Sequence, residues 1–138
     1  MANLNNKLAN RISLRGDEGE PFNVGQIAGM ANDVVFHALA STNLTLGDHV
    51  GYGPRVLVHG GRQVINGVAN GPETSVGDNV GLGPNSLIYS AVIGNNSAIG
   101  RKSAVFNSTL PARTYVRSRV IVADRRPGNN GMILPVEW

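Results

Sequence analysis

The sequence predicts an all-β protein, a left-handed parallel β-helix of hexapeptide repeats with a short C-terminal tail outside the repeat. Three observations predict this fold class. From Leu46 onward an aliphatic residue, usually followed by Gly and polar residues, recurs about every six positions. Glycine supplies 18 of 138 residues, well above the average of about 7%. Aromatic residues make up only 5%, so the core has to come from Val, Ile, Leu and Ala.

The first residue of each hexad is expected to point inward and to stack on its equivalent in the next coil. Three hexads form one triangular coil of about 18 residues, which buries its apolar side only against neighbouring coils. After a shift of one residue near Ile88 the repeat continues. The inward positions are Leu46, Tyr52, Val58, Val76, Leu82, Ile88, Ile93, Ile99, Val105, Leu110, Val116 and Val122.

The fifth residue of each hexad is small or Val and is also expected to face inward, where space near a corner is short. These residues are Val50, Val80, Ser86, Ser97, Ser103 and Thr109. Gly, Asn and Asp are expected to fill the corners, because they tolerate positive φ. A period of six with frequent Gly opposes an α-helix.

The chain is predicted to be one domain, residues 1–138, with a repeat core at about 12–122. Residues 61–74 keep the period poorly and are interpreted as an irregular insertion that covers a site or docks a partner. Residues 124–131 are rich in turn formers. Residues 132–138 are expected to pack back, so that 124–138 forms a C-terminal cap.

Composition excludes several classes of protein. The absence of Cys excludes disulfides and thiolate metal sites. The net charge of +3 comes without interleaved aromatics or a recognition helix, so we expect no nucleic-acid partner. No apolar run reaches the roughly 18 residues of a membrane span, and no signal peptide is evident. We therefore expect a cytoplasmic protein, or one within a compartment or organelle matrix, and not a secreted one.

Histidine is the residue type here that most favours a metal site, since imidazoles bind zinc. His49 lies where equivalent hexads carry Asn79 and Asn96, which favours an exposed turn residue. His37 and His59 are 22 residues apart, a little over one coil, and are expected on adjacent coils. They are the candidate ligands of a shared zinc or iron ion.

Three segments resemble the γ-class carbonic anhydrases. Residues 15–22 (RGDEGEPF) are similar to the family's Arg-x-Asp-x-x-x-Pro segment. Residues 32–39 (NDVVFHAL) and 58–60 (VHG) are similar to the segments that carry two of its zinc histidines. The resemblance implies a trimer whose metal sites lie between subunits, with His37 and His59 contributed by one of them.

The resemblance also assigns roles to the first segment. Arg15 and Asp17 match an ion pair between subunits, for which an intrachain salt bridge is the alternative. Glu18 matches the acid beside the metal-bound water, which transfers protons.

The most important departure from the family is Pro54, which stands where the third zinc histidine is expected. Proline cannot bind zinc, so the site is incomplete. Other polar positions of the family are Gly29, Ala31 and Ala40 in this chain, and its long C-terminal helix has no counterpart.

The sequence therefore predicts a divergent relative of these enzymes that is weak or inactive in CO2 hydration and acts in assembly or as a structural subunit. A homotrimer is expected, with a heterotrimer as the alternative. The alternative function is an active zinc-dependent carbonic anhydrase, converting CO2 to bicarbonate, whose third ligand is a substitute or comes from a partner chain. A hexapeptide-repeat acyltransferase, with His59 or His49 as general base, is a further alternative.

Overall fold

The computed structural model describes residues 13–16, 22–38 and 42–136. The described part of the chain is all-β and contains no helix. Its strands are β1 (Ser13–Gly16), β2 (Phe22–Val24), β3 (Ile27–Met30), β4 (Val35–Ala38), β5 (Leu44–Leu46), β6 (Val50–Tyr52), β7 (Leu57–His59), β8 (Ser75–Val76), β9 (Gly81–Leu82), β10 (Leu87–Tyr89), β11 (Val92–Ile93), β12 (Ala98–Ile99), β13 (Ala104–Phe106), β14 (Thr109–Leu110), β15 (Tyr115–Val116), β16 (Val120–Ala123) and β17 (Met132–Pro135).

The strands form three sheets, and consecutive strands enter the sheets in rotation. Sheet A has the order β1-β4-β7-β10-β13-β16-β17, sheet B the order β14-β11-β8-β5-β2, and sheet C the order β15-β12-β9-β6-β3. All pairs are parallel except β16 with β17. Because each sheet takes every third strand, the topology is consistent with a parallel β-helix.

The predicted inward positions form the core together with Phe36, which was not among them. In register, Phe36, Val58, Ile88, Val105 and Val122 follow one another along sheet A and are at most 4% exposed. Leu46, Val76, Ile93 and Leu110 follow one another in the same way along sheet B, and Tyr52, Leu82, Ile99 and Val116 along sheet C, and all of them are buried.

The period of six holds for two of the three connections between the sheets and fails for the third. Inward residues are six apart from sheet B to sheet C, as in Leu46 to Tyr52, and six apart from sheet C to sheet A. From sheet A to sheet B the step is eighteen between Val58 and Val76 and five between Ile88 and Ile93. All variation in coil length therefore lies in the connections from sheet A to sheet B.

The shorter step corrects one of the inward assignments. Val50, Val80, Ser86, Ser97 and Ser103 are buried as predicted, but Thr109 is only half-buried and Ser108 takes the inward place. The hydroxyl of Ser108 accepts a hydrogen bond from the Arg125 amide (3.0 Å). The five-residue step moves the chain back by one position, which exchanges the inward and outward faces.

The corners use glycine for a different reason from the one predicted. Positive φ occurs at polar residues of the fourth hexad position, among them His49, Asn79 and Asn96. Gly47 has no positive φ, but a Cβ there would lie 2.6 Å from the backbone carbonyl of Gly77. Glycine is thus required by the close approach of successive coils, and the polar residue beside it adopts the left-handed conformation.

Residues 61–74 form an ordered hairpin-like insertion. Antiparallel bridges join Arg62 to Glu73 and Ile65 to Val68, and both residues of the Asn66-Gly67 turn have positive φ. An Asn-Gly pair between apolar residues is a strong signal for a hairpin turn of this kind. The segment lies outside the repeat as an insertion, and its isolated bridges give it a hairpin-like path.

The tail partly follows the prediction. β17 pairs antiparallel with β16 and so extends sheet A, and the Val136 amide donates to the Arg119 carbonyl (2.8 Å). Val136 is 8% exposed, whereas Met132, Ile133 and Leu134 remain about half exposed. Glu137 and Trp138, the end of the predicted cap, lie outside the described residues. Within the described ranges no helix is long and apolar enough to cross a membrane.

Candidate functional site: a histidine–aromatic ladder on sheet A

The two candidate ligands are direct neighbours on the outer face of sheet A. His37 on β4 and His59 on β7 are in register, because the inward residues before them, Phe36 and Val58, stack in the core. Their ring centroids are 4.5 Å apart, with the planes at 75°. The prediction that they lie on adjacent coils is confirmed.

Aromatic residues continue the column. Tyr89 is in register with His59 and stacks on it, with ring centroids 4.5 Å apart and planes at 17°. Phe106 follows on the next coil, with its ring centroid 6.3 Å from that of Tyr89. We call His37, His59, Tyr89 and Phe106 the ladder. Tyr89 restricts the orientation of the His59 ring by covering one face of it.

The protonation of His59 can be assigned from its neighbour. Its Nδ1 lies 2.9 Å from the Gly60 carbonyl oxygen, and a carbonyl only accepts, so Nδ1 carries the proton. In a neutral imidazole the lone pair then lies on Nε2. A backbone carbonyl that fixes the tautomer in this way is typical of histidines that bind metals.

The geometry suits two ligands of one ion but does not complete a site. Two imidazoles on a tetrahedral zinc, with Zn–N bonds of about 2.0–2.1 Å, have ring centres roughly 5 Å apart. The observed separation is close to this. However, the residues that the structure describes contain no group of three His, Asp or Glu side chains able to hold a metal together. Because the resemblance implies a third ligand from a neighbouring subunit, the misfit with a three-histidine zinc site lies at Pro54, which stands at the position of that ligand.

The remaining predicted site residues are placed only in part. Pro54 lies in the turn between β6 and β7, where its carbonyl accepts the Asn85 amide (2.9 Å). Arg15 lies on β1, in backbone register with His37. Asp17, Glu18 and Ala40 lie outside the described residues, so the ion pair and the proton-transfer role remain predictions. Gly29 lies on β3, and Ala31 directly follows it.

His49 is separate from the ladder. It is exposed in the turn after β5, with a φ of 58°. A turn residue that faces solvent has no neighbouring group to orient it as a ligand or general base. It offers a control histidine for experiments on the ladder.

A cleft of about 580 Å³ adjoins the far end of the ladder. Tyr89 and Phe106 line it together with the tip of the insertion and the turn after β16. Asn107 links its walls, since its side chain bonds to the Val64 amide (2.6 Å), the Val64 carbonyl (2.7 Å) and Asp124 Oδ1 (2.7 Å). Segments of variable length, which follow the strands of sheet A, thus gather beside the ladder, as loops do around sites on rigid scaffolds.

The sequence reasoning missed Tyr89, Phe106 and the role of Asn107. Tyr89 and Phe106 each follow an inward residue of a hexad by one position, as His37 and His59 do, and this shared position could have placed all four on one face. No local signal could have found the contacts of Asn107 with Val64, since they depend on how the insertion packs over later coils.

Comparison with known proteins identifies no family: no protein-family model and no curated protein matches this chain.

Proposed function

We propose that the chain is a left-handed β-helix subunit of a trimer, related to the γ-class carbonic anhydrases. Its role is in assembly or structure, and its hydration of CO2 is weak or absent. The proposal is carried by the pairing of His37 with His59 on sheet A together with Pro54, a residue that cannot bind zinc, at the position where the resemblance implies the third ligand. Since ligand number and geometry determine metal retention, a pair holds zinc far less well than the three protein ligands of a catalytic site.

The proposal of a trimer is supported by the outer faces of the sheets. The face of sheet A bears the ladder and, beside it, Leu57, Leu87 and Ile121, all half-buried in one chain. By contrast, the outer face of sheet B carries Asn23, Thr45 and Ser75. Parallel sheets normally have both faces covered, so the apolar face of sheet A suits contact with another subunit. A homotrimer is the simplest assembly, and a heterotrimer is the alternative.

A second candidate function is an active carbonic anhydrase whose third ligand comes from a partner chain. The assigned tautomer of His59 favours it, because the Nε2 lone pair is the one a metal would take. When bound, zinc or iron would supply a hydroxide at neutral pH by lowering the pKa of its water. His37 and His59 would hold the ion, and Tyr89 would orient His59. Acetyl-CoA binding would instead favour the acyltransferase.

The test is the metal content of protein purified without chelators or a polyhistidine tag, measured with its sedimentation and CO2 hydration rate. We expect a trimer with far less than one metal per chain and hydration near background. The matched variants are His59→Ala and His49→Ala, which remove a ladder and a turn histidine. One metal per chain, lost in His59→Ala and kept in His49→Ala, would overturn the structural role and support the enzyme.

A gain-of-ligand variant tests the reason for the low metal content. If the resemblance is correct, Pro54→His restores the third ligand across the subunit interface. We expect its metal content to rise toward one zinc per chain, and the rise to disappear in the double variant with His59→Ala. An unchanged metal content in a folded, trimeric Pro54→His protein would count against the relationship.

A further inference from the structure

The cleft beside the ladder is formed in the protein without a ligand. Its volume of about 580 Å³ falls within the range of roughly 300–1,000 Å³ that small-molecule sites occupy. The tip of the insertion lies on one side and the turn after β16 on the other, and the Asn107 side chain bonds to both of them. These hydrogen bonds hold the two sides at a fixed separation.

The charged side chains of the cleft are already paired with each other. Arg126 Nη1 lies 3.8 Å from Asp124 Oδ1, and only 18% of the Arg126 side chain is exposed. Arg126 also donates to the Asn107 carbonyl (3.2 Å), and Asp124 accepts from the Asn107 side-chain amide (2.7 Å). The described residues that line the cleft include no other acid or base, so its net charge is zero. An ionic ligand would lie there without a counter-charge, which is costly, and a neutral ligand is favoured.

The hydrogen-bonding groups that remain available in the cleft are neutral. Tyr89, Asn66 and Asn129 line it, and within the described ranges their side chains donate no hydrogen bond. Asn129 Oδ1 accepts a long bond from the Gly131 amide (3.5 Å), and Tyr89 is 37% exposed. A hydroxyl and a side-chain amide can each donate and accept. These three side chains therefore match a ligand that carries several hydroxyl groups.

The cleft also has apolar surface that a ligand can cover. Phe106 remains half-buried, since Ala123, which follows it in register on sheet A, offers no ring to stack on it. Val64 of the insertion is 45% exposed. Covering such surface favours binding, and a sugar ring combines apolar C–H faces with a rim of neutral hydroxyls. We propose that the cleft binds a neutral carbohydrate, whose C–H faces contact Phe106 and Val64 and whose hydroxyls bond to the three polar side chains.

Amide chemical-shift mapping of the unmodified protein, in its natural assembly, tests this proposal. The probes are maltose, cellobiose and lactose at millimolar concentration. We expect at least one of them to shift the amides of Val64, Asn107 and Asn129 saturably, and to leave those of His49 and Asn96, which lie on another corner, unchanged. Without saturable shifts from any of the three sugars, or with shifts spread over all corners, the proposal is overturned.

Matched variants show whether the named side chains hold the sugar. Tyr89→Phe removes only the hydroxyl and keeps the ring stacked on His59, and Asn66→Gly preserves the positive φ of the turn while removing the amide. We expect each variant to weaken binding by about 2- to 10-fold, the effect of one hydrogen bond. The control Asn96→Gly, at a corner residue that also has positive φ, should leave the Kd unchanged.

Two results of these titrations would contradict the proposal. A Kd that is unchanged in both cleft variants would place the sugar elsewhere. Tighter binding of the polyanionic sugar sucrose octasulfate than of any neutral disaccharide would assign the cleft to anions. Neither the titrations nor the variants depend on metal or on CO2 hydration, so their outcome is separate from the test of the proposed function.

Discussion

Tyr52 places a polar group in the apolar core. It occupies an inward hexad position, is 3% exposed and packs against Phe36, with ring centroids 5.1 Å apart. Its hydroxyl is buried without a hydrogen-bond partner in the described part of the chain. Burial also raises the pKa of the Tyr52 phenol above its usual range, since the charged form is not solvated there.

Replacing Tyr52 by Phe should therefore stabilise the protein. A buried polar group without a partner costs about 1–3 kcal/mol, so we expect Tyr52→Phe to raise the free energy of unfolding by about 1 kcal/mol in urea titrations. A loss of stability would show that the hydroxyl has a partner.

The same variant tests the raised pKa of Tyr52. In the unfolded chain the phenol ionises near pH 10, whereas the folded protein keeps it neutral. The contribution of Tyr52 to the free energy of unfolding is then constant below pH 10. It falls above pH 10, because the unfolded state loses a proton that the folded state retains. We expect a smaller alkaline loss in Tyr52→Phe, while Tyr89 and Tyr115, present in both proteins, cancel. Parallel pH curves would contradict the cause assigned.

Gly47 and Gly51 differ in whether the structure requires a glycine. A Cβ at Gly47 would lie 2.6 Å from the Gly77 backbone, while one at Gly51 would meet nothing within 4 Å. We expect Gly47→Ala to lower the free energy of unfolding by at least 2 kcal/mol, since the coils must move apart. Gly51→Ala should be neutral or stabilising by up to about 1 kcal/mol. Chemical denaturation of both variants measures the difference.

At the scale of the element, the sequence predicts the strands better than the connections between them. Inward stacking needs only an apolar residue every sixth position, as at Val76 and Leu82, so the strands could be predicted directly. The length of the connection from sheet A to sheet B could not be predicted, since it depends on which distant residues pack against it. The insertion bonds to Ser108, where Gln63 Nε2 donates to the carbonyl (2.8 Å), and this contact spans 45 residues.

The candidate site was predictable to a similar extent. The spacing of 22 residues between His37 and His59 predicted that they lie on adjacent coils. The stacking of Tyr89 on His59 depends on the registers of β7 and β10 across the insertion, which no short motif encodes. The side chains matched to the interface ion pair and to proton transfer fall outside the described residues.

Asn107 holds the insertion to the turn after β16. Its replacement tests how much this contact between elements stabilises the protein. It has a φ of 51°, so Asn107→Gly keeps the backbone conformation and removes the side-chain hydrogen bonds. We expect it to lower the stability by about 1 kcal/mol, since the lost hydrogen bonds to the Val64 amide and the Asp124 carboxylate lie where water can partly replace them. Faster hydrogen exchange of Val64 should accompany the loss.

Asn96 supplies the control for this variant. It is an exposed corner residue with a φ of 60°, and we expect Asn96→Gly to change the stability by less than about 0.5 kcal/mol. If the two variants lose the same stability, the backbone conformation and not the hydrogen bonds of Asn107 is responsible.

At the scale of the whole molecule, the three outer faces have different chemistry. Sheet A is apolar and aromatic, sheet B is mostly polar, and sheet C carries the bare positions Gly29, Gly51 and Gly81. Such asymmetry indicates that the faces meet different surroundings, and it directs the search for subunit contacts to sheet A.

A lysine placed on each of two faces tests this assignment. Leu87→Lys lies on the outer face of sheet A and Thr45→Lys on that of sheet B. If sheet A forms the trimer contact, we expect sedimentation to show dissociation of Leu87→Lys at concentrations where Thr45→Lys remains a trimer, because a buried unpaired charge is costly. Dissociation of Thr45→Lys alone would move the interface to sheet B.

The length of the chain varies only in the connections from sheet A to sheet B, and this property makes the molecule suitable as a scaffold. Because the other two corners always advance by six residues, a segment can be lengthened at Ser90 or Asn107 without changing which side chains face inward elsewhere. The chain already has such a longer connection between Val58 and Val76. A foreign peptide grafted at such a turn would be displayed beside the ladder on a rigid support, and so would any binding loop acquired there by insertion during evolution.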